Sequence, residues 1–585
     1  MALTKDQLEQ QKQAEELLFS GPQRLGFAKG LFFGHFNHAL VFPYPQLKDD
    51  EQVVVDRAVA DVKNFCAAKI DAAAIDRQAD IPTEVIHGLG DLGVLGMTAP
   101  REKGGRGFSQ QGYCKILEVI GGHCSSTAVF VNAHHSIGIR ALLLFGSDEQ
   151  RARWLPGLVD GRKLAAFALT ETEAGSDAAN VQTTATPSAD GKTFFLNGHK
   201  RYITNGGIAQ VLTVMARTPV PGQPGKTAVT AFLVTPDMPG FEVVEERMEK
   251  CGIRGTATGR LAFHDMPVPA ENILGELGKG LRVALTVLDF GRTTFGASCT
   301  GAARTCLHAS IRHAKRRVQF KLPLAKFELI QKKIAYMAAC EFAMEATTAQ
   351  CASFIDRGAE DYMLETAILK VFATEALWTI VNDCLQIHGG QGYFTNEPYE
   401  RMMRDARINQ IGEGANEVLK SFIALVGMRG VGEELKGVLD AVTSPLKGAG
   451  AIGRFLREET TRRLFLPAIP VEERGLQTRA RALSRRVRSF GLAVQMLLRT
   501  YREGILDRQL QQERVADIAC DLYASSCTLT RLDLLLGQGR TGTDPEIRAG
   551  CYFLDLADRR MGQNLAALEE NDDGGVLATA AAYLS

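Results

Sequence analysis

The chain has 585 residues, too many for one hydrophobic core, and this length predicts roughly three or four domains. Hydrophobic residues make up 45% and charged residues 23%, as in an ordinary soluble globular protein. Basic and acidic residues balance at 67 each, which gives no reason to expect nucleic acid as a partner, and no uninterrupted apolar run approaches the ~18 residues of a membrane span. The 12 cysteines include no C-x-x-C pair, which argues against a zinc or other metal site and is typical of a reducing compartment.

The first half of the chain changes its composition twice. Residues 1–45 are predicted to form a helical extension, and their polar start of mixed charge differs from a secretory signal or a transit peptide. Residues 46–164 show helical periods and form a predicted N-terminal helical domain. Residues 165–275 contain short β-rich runs separated by Gly, Pro and Asn, which predict a middle β-barrel or sandwich domain.

Helical periodicity returns in the second half. Residues 276–430 are predicted to form a second helical bundle. Residues 431–453 are predicted to be a linker, because they include the small-residue stretch "SPLKGAGAIG". Residues 454–585 form a predicted extra C-terminal helical domain. The predicted fold class is therefore mainly α with a β insert.

Two stretches of the β insert place polar groups where a flat ligand could bind. In "AFALTETEAGSD", Thr170, Gly175 and Ser176 could hydrogen-bond a polar ring or a phosphate, and the alternative is a polar hairpin loop. In "RYITNGG", Tyr202 and Thr204 are two residues apart, so their side chains share one face of a strand and could stack on and bond to one ligand. The alternative is ordinary strand packing.

Two further stretches follow in the second helical region. In "RRVQFKLPL", Arg317 and Gln319 could hold a pyrophosphate, or they could lie at a solvated helix end. In "QIHGGQGYF", two adjacent glycines let backbone approach a ligand, but no Walker lysine follows them. The histidine of this stretch, His388, fits a structural role better than a catalytic one.

A carboxylate between two glycines is the candidate base. In "INQIGEGANEV", Glu413 lies between Gly412 and Gly414. One interpretation is a surface turn with a solvated carboxylate. The other is a general base on thin backbone, which a flat ligand can approach closely. This stretch alone favours the surface turn.

In this order, the five motifs closely resemble the acyl-CoA dehydrogenase family. The resemblance covers about 50–430, and the two terminal additions, including "GFAKGLFFGHFNHALVFPYP", resemble its very-long-chain branch. It implies a helical, β, helical architecture with FAD bound between the layers. It also implies an enzyme of fatty-acid β-oxidation.

The resemblance assigns site residues by position. The FAD contacts it implies are Phe167, Leu169, Thr170, Gly175, Ser176, Tyr202, Ile203, Thr204, Arg317, Gln319, Phe320, Gln386, Gly389, Gly390, Ala415 and Glu417. The substrate contacts it implies are Ser176, Asp289, Arg292, Gly412 and Gly414. A neighbouring subunit supplies the segment around Arg317 in this family. Three positions depart from the usual pattern: Tyr202 replaces Trp, Lys321 replaces Gly, and Ala415 replaces a Thr whose hydroxyl contact is worth ~1 kcal/mol.

Glu413 matches the family's catalytic base. Its carboxylate would remove the α-proton of an acyl-CoA thioester while flavin N5 takes hydride from the β-carbon. The resemblance implies that the flavin ribityl hydroxyl and the backbone N–H of Glu413 stabilise the enolate. Burial beside the apolar substrate is expected to raise the pKa of Glu413. Some relatives take the base from the position before the Arg of "GR", but here that residue is Gly291.

The expected reaction is FAD-dependent conversion of long-chain acyl-CoA to trans-2-enoyl-CoA, with electrons passed to an electron-transfer flavoprotein. The alternatives are an acyl-CoA oxidase that uses oxygen and an assembly or binding protein that retains the fold. The small residues Ser125, Ser126, Thr127 and Ala128 indicate either a deep acyl channel or tight helix packing.

The terminal region predicts assembly and location. The very-long-chain branch covers its tetramer surface with this tail, so a homodimer is expected. Arginines interleave with apolar residues at Arg454, Arg457, Arg462, Arg463, Arg474, Arg479, Arg481, Arg485, Arg486, Arg488, Arg499 and Arg502. They could contact an anionic membrane peripherally, or they could solvate a packed bundle whose acidic residues and two prolines interrupt the run. The expected location is the cytoplasm of a bacterium, or the matrix and inner membrane of mitochondria for a processed eukaryotic chain.

Overall fold

The computed structural model describes residues 25–443, residue 457 and residues 463–585. Its residues cluster into two compact units. The described residues of the first unit fall within Leu47–Ile330 and Ala373–Gly414, and those of the second fall within Pro22–Gln46, Gln331–Phe372 and Ala415–Ser585. The first 24 residues of the predicted extension, residues 444–453 of the predicted linker and residues 454–456 and 458–462 of the predicted C-terminal domain lie outside the described residues. Residues 431–443, predicted as the start of the linker, are helical instead.

Helices account for most of the described chain. In chain order they are α1 (Phe27–Phe32), α2 (Asp49–Lys69), α3 (Ala72–Gln78), α4 (Thr83–Asp91), α5 (Gln110–His123), α6 (Ser125–Val131), α7 (Arg140–Phe145), α8 (Asp148–Val159), α9 (Gly280–Arg316), α10 (Glu328–Asp356), α11 (Met363–His388), α12 (Gly390–Tyr393), α13 (Tyr399–Arg407), α14 (Asn416–Thr443), α15 (Gln477–Tyr501), α16 (Gln509–Gly537), α17 (Pro545–Ala567) and α18 (Asp573–Leu584). A π-helical segment, Asn132–Ile139, joins α6 to α7.

The strands of the main β-sheet lie between α8 and α9. They are β1 (Ala165–Ala168), β2 (Thr184–Pro187), β3 (Thr193–Thr204), β4 (Val211–Pro219), β5 (Thr227–Val234), β6 (Phe241–Glu245) and β7 (Thr258–Pro269). They form one sheet in the order β1-β4-β2-β3-β7-β6, with β5 paired to β4. The pair β1 and β4 is parallel, whereas β3 and β7 are antiparallel. This helical, β, helical order confirms the predicted fold class.

The core of the first unit joins this sheet to the helices on either side of it in sequence. Trp154 and Leu158 of α8 pack with Met215 of β4, Leu233 of β5 and Val287 of α9, and all five side chains are buried. Strand β4 is buried along six consecutive residues, as expected for a strand covered on both faces. The sheet therefore holds the end of β1 beside α9.

Glycines allow α5 and α9 to approach closely. A Cβ at Gly121 would lie 2.6 Å from the carbonyl oxygen of Ser298, and one at Gly122 would lie 2.8 Å from that of Gly301. Contacts this short leave no room for a side chain. The small residues in the middle of α9 are thus required by packing.

The stretch Ser125–Phe145 is long and apolar enough to span a membrane by length and composition, with a mean hydropathy of 1.3. Polar groups such as His134 and Ser136 interrupt its apolar residues, which is why no single run stood out in the sequence. Two thirds of the window, 67%, is buried inside the protein. That burial is typical of a core helix of a globular domain.

The second unit is a helical bundle tied by buried ion pairs. Arg560 meets Asp521 through two hydrogen bonds, and Arg531 donates to Glu345 at 2.8 Å. The N-terminal helix α1 docks on the bundle, because Phe32 packs edge-on against Phe490 with ring centroids 4.9 Å apart. Apolar packing and charge pairing together hold the tail as a folded domain.

Candidate active site

Glu413 lies in a tight turn after α13. The turn begins at Ile408, whose carbonyl accepts the N–H of Gly412 at 2.8 Å. Glu413 itself has φ +58 and Gly414 has φ +97. A left-handed backbone costs a non-glycine residue roughly 1–2 kcal/mol, and such strain clusters at functional sites. The turn therefore supports the interpretation of Glu413 as a positioned side chain.

The carboxylate of Glu413 lies against α9 at Gly291. A Cβ built at Gly291 would lie 3.2 Å from Glu413 Oε2 and 3.0 Å from Ile137 Cγ2. A side chain at position 291 would therefore compete with this carboxylate for space. Position 291 is the one that the resemblance gives as the alternative site of the base. Here the Glu413 carboxylate lies beside that position, although Glu413 belongs to the turn after α13.

A buried ion pair fixes the backbone of the same turn. Arg292 and Asp289 are each 7% exposed, and their side chains meet at 3.3 Å. Arg292 Nε also donates to the backbone carbonyl of Glu413 at 3.4 Å. The two predicted substrate contacts on α9 and the predicted base are therefore brought together.

The predicted ring-side residues follow β1. Phe167 is buried within the strand, Leu169 and Thr170 are half-buried, and Gly175 and Ser176 are exposed. No atom lies within 4 Å of a Cβ built at Gly175. The loop after β1 thus offers backbone and hydroxyl groups to an open space.

A buried ion pair that the motif analysis missed holds this loop. Lys200 Nζ lies 2.6 Å from Glu171 Oε1 and donates to the carbonyl of Leu169 at 3.0 Å. Glu171 also accepts the N–H groups of Gln182 at 2.5 Å and Thr183 at 3.1 Å. Burial alone would raise the pKa of the Glu171 carboxyl, but Lys200 and these donors outweigh it, so the pKa lies below its ordinary value. In the sequence, this ion pair was visible only as a Glu in the loop after β1 and a Lys in the later strand β3.

Tyr202 has an unusual backbone for an aromatic residue. Its φ is +59, it lies at an irregularity in the pairing of β3 with β7, and its side chain is 54% exposed. The guanidinium of Arg201 stacks on its ring at 4.2 Å. Ile203 is buried and Thr204 half-buried, so Tyr202 and Thr204 both lie on the more accessible side of β3. The exposed ring is accessible to a flat ligand, and the left-handed backbone is the kind of strain that clusters at functional sites.

Three further predicted contacts, Arg317, Gln319 and Phe320, lie at or just after the end of α9. Gln319 and Phe320 lie on the short hairpin of β8 (Val318–Gln319) and β9 (Leu322–Pro323), where Phe320 is 89% exposed. Phe320 and Lys321 have φ +51 and +66, so Lys321 adopts the conformation that glycine would favour. The hairpin therefore forms with lysine at position 321. The exposed ring of Phe320 is suited to contact another molecule.

A cavity of about 460 Å³ lies beside this group. Its lining includes Arg312, Arg316 and Arg317 of α9 and its end, together with His388. His388 stacks on Tyr399 at 3.7 Å and its Nδ1 lies 2.7 Å from the carbonyl oxygen of Cys384, which fits the expected structural role. Clustered guanidinium groups make the cavity suitable for a phosphate-bearing ligand.

The glycines next to this cavity leave open space. Gly389 has φ +61, and no atom lies within 4 Å of a Cβ built at Gly389 or Gly390. Gln386 is exposed on the last turn of α11. Ala415 is half-buried and Glu417 exposed at the start of α14, in the second unit.

The small-residue run before the π-helical segment packs tightly. Ser126, Thr127 and Ala128 are 3%, 0% and 1% exposed. Ser126 Oγ accepts the N–H of Gly255 at 3.3 Å. Ser126 thus fits the packing interpretation of this run.

Among the described residues, no group of three or more His, Cys, Asp or Glu side chains could hold a metal ion.

Four sequence models of known families match the chain. The N-terminal, middle and C-terminal domains of acyl-CoA dehydrogenase match residues 55–162, 166–266 and 278–427. The C-terminal domain described as ACAD9/ACADV matches residues 474–578.

Individual relatives match over most of their length. The chain is 34% identical to the very long-chain specific acyl-CoA dehydrogenase, mitochondrial, of Mus musculus, over 93% of this chain and 84% of that protein. It is 33% identical to the probable acyl-CoA dehydrogenase FadE10 of Mycobacterium tuberculosis, over 89% and 82%. A solved acyl-CoA dehydrogenase from Bacillus anthracis, complexed with FAD, superposes with a TM-score of 0.77 at 27% identity and covers 95% of each chain. The chain therefore belongs to the acyl-CoA dehydrogenase family.

The residues present fit the FAD that the sequence predicts. The exposed ring of Tyr202 and the open space beside Gly175 suit a flat aromatic ring system. The arginine-lined cavity and the open glycines Gly389 and Gly390 suit a pyrophosphate and adenine. The two groups of predicted contacts thus suit different parts of FAD, the ring system and the pyrophosphate with adenine.

Proposed function

We propose that this enzyme dehydrogenates long straight-chain acyl-CoA thioesters to trans-2-enoyl-CoA, with Glu413 as the catalytic base. The observation that carries the proposal is the left-handed turn that presses the Glu413 carboxylate against Gly291. The family is FAD-dependent, and the enzyme is an FAD-dependent acyl-CoA dehydrogenase of fatty-acid β-oxidation. Similarity to the very-long-chain enzymes supports the long-chain assignment.

The proposed mechanism begins with proton transfer to Glu413. One carboxylate oxygen accepts the proton from the carbon next to the thioester, and the carboxylate becomes a carboxylic acid. Gly291 supports this step by leaving room for the carboxylate, and Arg292 holds the turn through the Glu413 carbonyl. The backbone N–H of Glu413 donates to the thioester oxygen as negative charge develops there. Bound FAD supplies the acceptor for the hydride that leaves the β-carbon.

The chain's other residues would bind and orient the cofactor. Tyr202 and Thr204 on β3 and the loop after β1 would hold the ring, with Ser176 also beside the thioester. Arg317, Gln319 and Phe320 would hold the pyrophosphate and adenine of a neighbouring subunit. The exposed hairpin supports this exchange, because an 89% exposed Phe320 gains from burial in a second copy. We therefore propose a homodimer.

The proposed electron acceptor is an electron-transfer flavoprotein. Its support is the family assignment. Oxygen uptake during turnover with a long-chain acyl-CoA would instead identify an oxidase.

We also propose peripheral contact of the tail with an anionic membrane. Arg481, Arg485 and Arg488 lie four and three residues apart on one face of α15, and the first two are exposed. Arg479 and Arg486 instead pair with Asp555 and Asp558, so only part of the basic run is available to lipid. Arg454 and Arg462 lie outside the described residues. The proposed location is a bacterial cytoplasm or a mitochondrial matrix, according to the source of the chain.

Substitution of the base tests the main proposal. Glu413→Gln keeps the shape of the side chain but cannot accept the α-proton, so turnover should fall by at least about 10³-fold with bound FAD retained. Glu433→Gln, an exposed carboxylate paired only at the surface, is the matched control. Dye reduction by acyl-CoA of graded chain lengths would measure both variants. Substantial turnover by flavin-loaded Glu413→Gln would reject Glu413 as the base.

A further inference from the structure

A buried hydroxyl lies behind the turn of α9 that faces Glu413. Thr294 is 0% exposed, and its Oγ1 lies 3.1 Å from the carbonyl oxygens of Phe290 and Gly291. These carbonyls belong to the preceding turn of the same helix. Gly291 is also the residue against which the Glu413 carboxylate lies. Thr294 therefore contacts the backbone of the same residue, Gly291, against which the proposed base lies.

The hydroxyl of Thr294 also links α9 to the π-helical segment. Its Oγ1 lies 3.0 Å from Ser136 Oγ and contacts Asn132 Oδ1, both in that segment, so its single proton is shared among several acceptors. Ser136 in turn donates to the hydroxyl of Tyr113 on α5 at 3.3 Å. Burial raises the pKa of Tyr113, so its hydroxyl stays protonated within this chain of hydrogen bonds. A chain of three hydroxyls thus runs from α5 to α9.

The π-helical winding and a cation–π contact complete the support of this turn. π-helical turns are rare and frequently occur at functional sites, and this one presents Asn132 and Ser136 to the same hydroxyl. Phe290, the residue before Gly291, has a contact of its own: the guanidinium of Arg140 stacks over its ring at 4.3 Å. The same guanidinium donates to Thr98 Oγ1 at 2.7 Å. The segment from Phe290 to Thr294 is therefore held through both its side chains and its backbone.

We propose that Thr294 is a positioning residue for α-proton transfer. Its polar contacts with Ser136 and with the α9 carbonyls fix the surface against which Glu413 lies, so that the carboxylate stays within reach of the substrate's α-carbon. A misplacement of about 1 Å can cost roughly 100-fold in rate, which makes such support valuable. This inference rests on the proposed role of Glu413.

The test uses the flavin-loaded enzyme and three variants. Thr294→Val keeps the shape but removes the hydroxyl, and Thr294→Ser restores it. Thr300→Val is the matched control, because Thr300 is also 0% exposed on α9 but its hydroxyl bonds only one turn back, to the carbonyl of Gly296 at 2.9 Å. Flavin reduction by protonated and α-deuterated acyl-CoA is followed without oxygen, together with FAD content and the visible flavin spectrum.

A displaced base has a distinct kinetic signature. Thr294→Val should slow flavin reduction about 10- to 100-fold, whereas the acyl-CoA concentration that gives half of the maximal rate should change less than about 3-fold. The deuterium isotope effect on flavin reduction should be larger than in the wild type. Its FAD content and flavin spectrum should match the wild type. Thr294→Ser should recover to within about 3-fold, and Thr300→Val should stay near the wild-type rate. Should Thr294→Val fail to fold, Ser136→Ala removes the same link from the other side and is expected to give the same signature.

Three results would overturn the inference. The first is an unchanged rate of flavin reduction in Thr294→Val. The second is an equal loss of rate in Thr300→Val. The third is a Thr294→Val enzyme that needs more acyl-CoA for half of its maximal rate but keeps that maximal rate. Glu413→Gln separates this failure from failure of the proposed function. If Glu413→Gln is inactive and Thr294→Val is fully active, only the positioning role is wrong. If Glu413→Gln remains active, the base assignment is wrong and the positioning role falls with it.

Discussion

Replacing Lys200 by methionine removes the countercharge of a buried carboxylate beside the ring-side loop. Lys200 is 1% exposed, and its ammonium lies 2.6 Å from Glu171 Oε1. Methionine has a similar reach but no charge, and it cannot donate to the carbonyl of Leu169. The variant therefore leaves Glu171, which is 6% exposed, without its ion-pair partner.

The cost follows from the remaining contacts of Glu171. Breaking a buried ion pair by removing one partner typically costs ~3–5 kcal/mol. The N–H groups of Gln182 and Thr183 stay on the carboxylate, so the expected loss in the free energy of unfolding is at the lower end, about 3 kcal/mol. Adding Glu171→Gln removes the second charge and keeps an acceptor for both N–H groups. The double variant should recover at least about half of the loss.

Urea unfolding of the flavin-free and flavin-loaded proteins measures this loss, and dialysis measures FAD retention. Lys200→Met should weaken FAD retention as well, because Lys200 also holds the carbonyl of Leu169 at the start of the loop. The pKa of Glu171 is lower when folded, so its stabilising contribution is present above the ordinary value of 4.5 and is lost as pH falls through the folded value. The reasoning is refuted if Lys200→Met unfolds within about 0.5 kcal/mol of the wild type and keeps its FAD.

Three further predictions concern the cofactor, the bundle and the tail. Arg317→Ala should weaken FAD retention more than it slows chemistry, with Arg260→Ala as an exposed control; full flavin after dialysis at low protein concentration, or a light-scattering mass near four chains, would contradict the shared site and the dimer. Burial and the nearby Asp361 raise the pKa of Glu365 to about 7, so this carboxyl favours folding most below its ordinary pKa of 4.5, and wild-type stability should fall as pH rises from about 4.5 to about 7. Glu365→Gln keeps the acceptor for the Ala28 N–H and should flatten that fall by roughly 3 kcal/mol in urea titrations, whereas an identical pH profile would contradict the assignment. Full-length enzyme should sediment with anionic liposomes at low salt and be released at high salt, and Arg481→Glu with Arg485→Glu should reduce the bound fraction; protein that stays in the supernatant at low salt would reject membrane contact.

Local patterns were sufficient for the fold class, whereas the candidate site residues were assigned by resemblance to a family. The change from helical to alternating periodicity near residue 165 predicted the sheet that begins at Ala165. The glycines around Glu413 predicted thin backbone at the base, and the turn is indeed one in which Gly414 has φ +97. These features depend on neighbours within a few positions, and the sequence displays such neighbours directly.

The support of the site depends on contacts between distant positions. Lys200 and Glu171 are separated by 29 positions, and Thr294 and Ser136 by 158. Neither pair has a local signature, because a buried Lys or Thr has the same letters around it as an exposed one. The left-handed backbone of Tyr202 likewise arises at an irregular pairing with β7, a strand more than fifty residues away. Sequence alone therefore determined the fold class and the candidate groups for the chemistry, and tertiary packing decided where those groups are held, because burial and hydrogen bonding are properties of the assembled core.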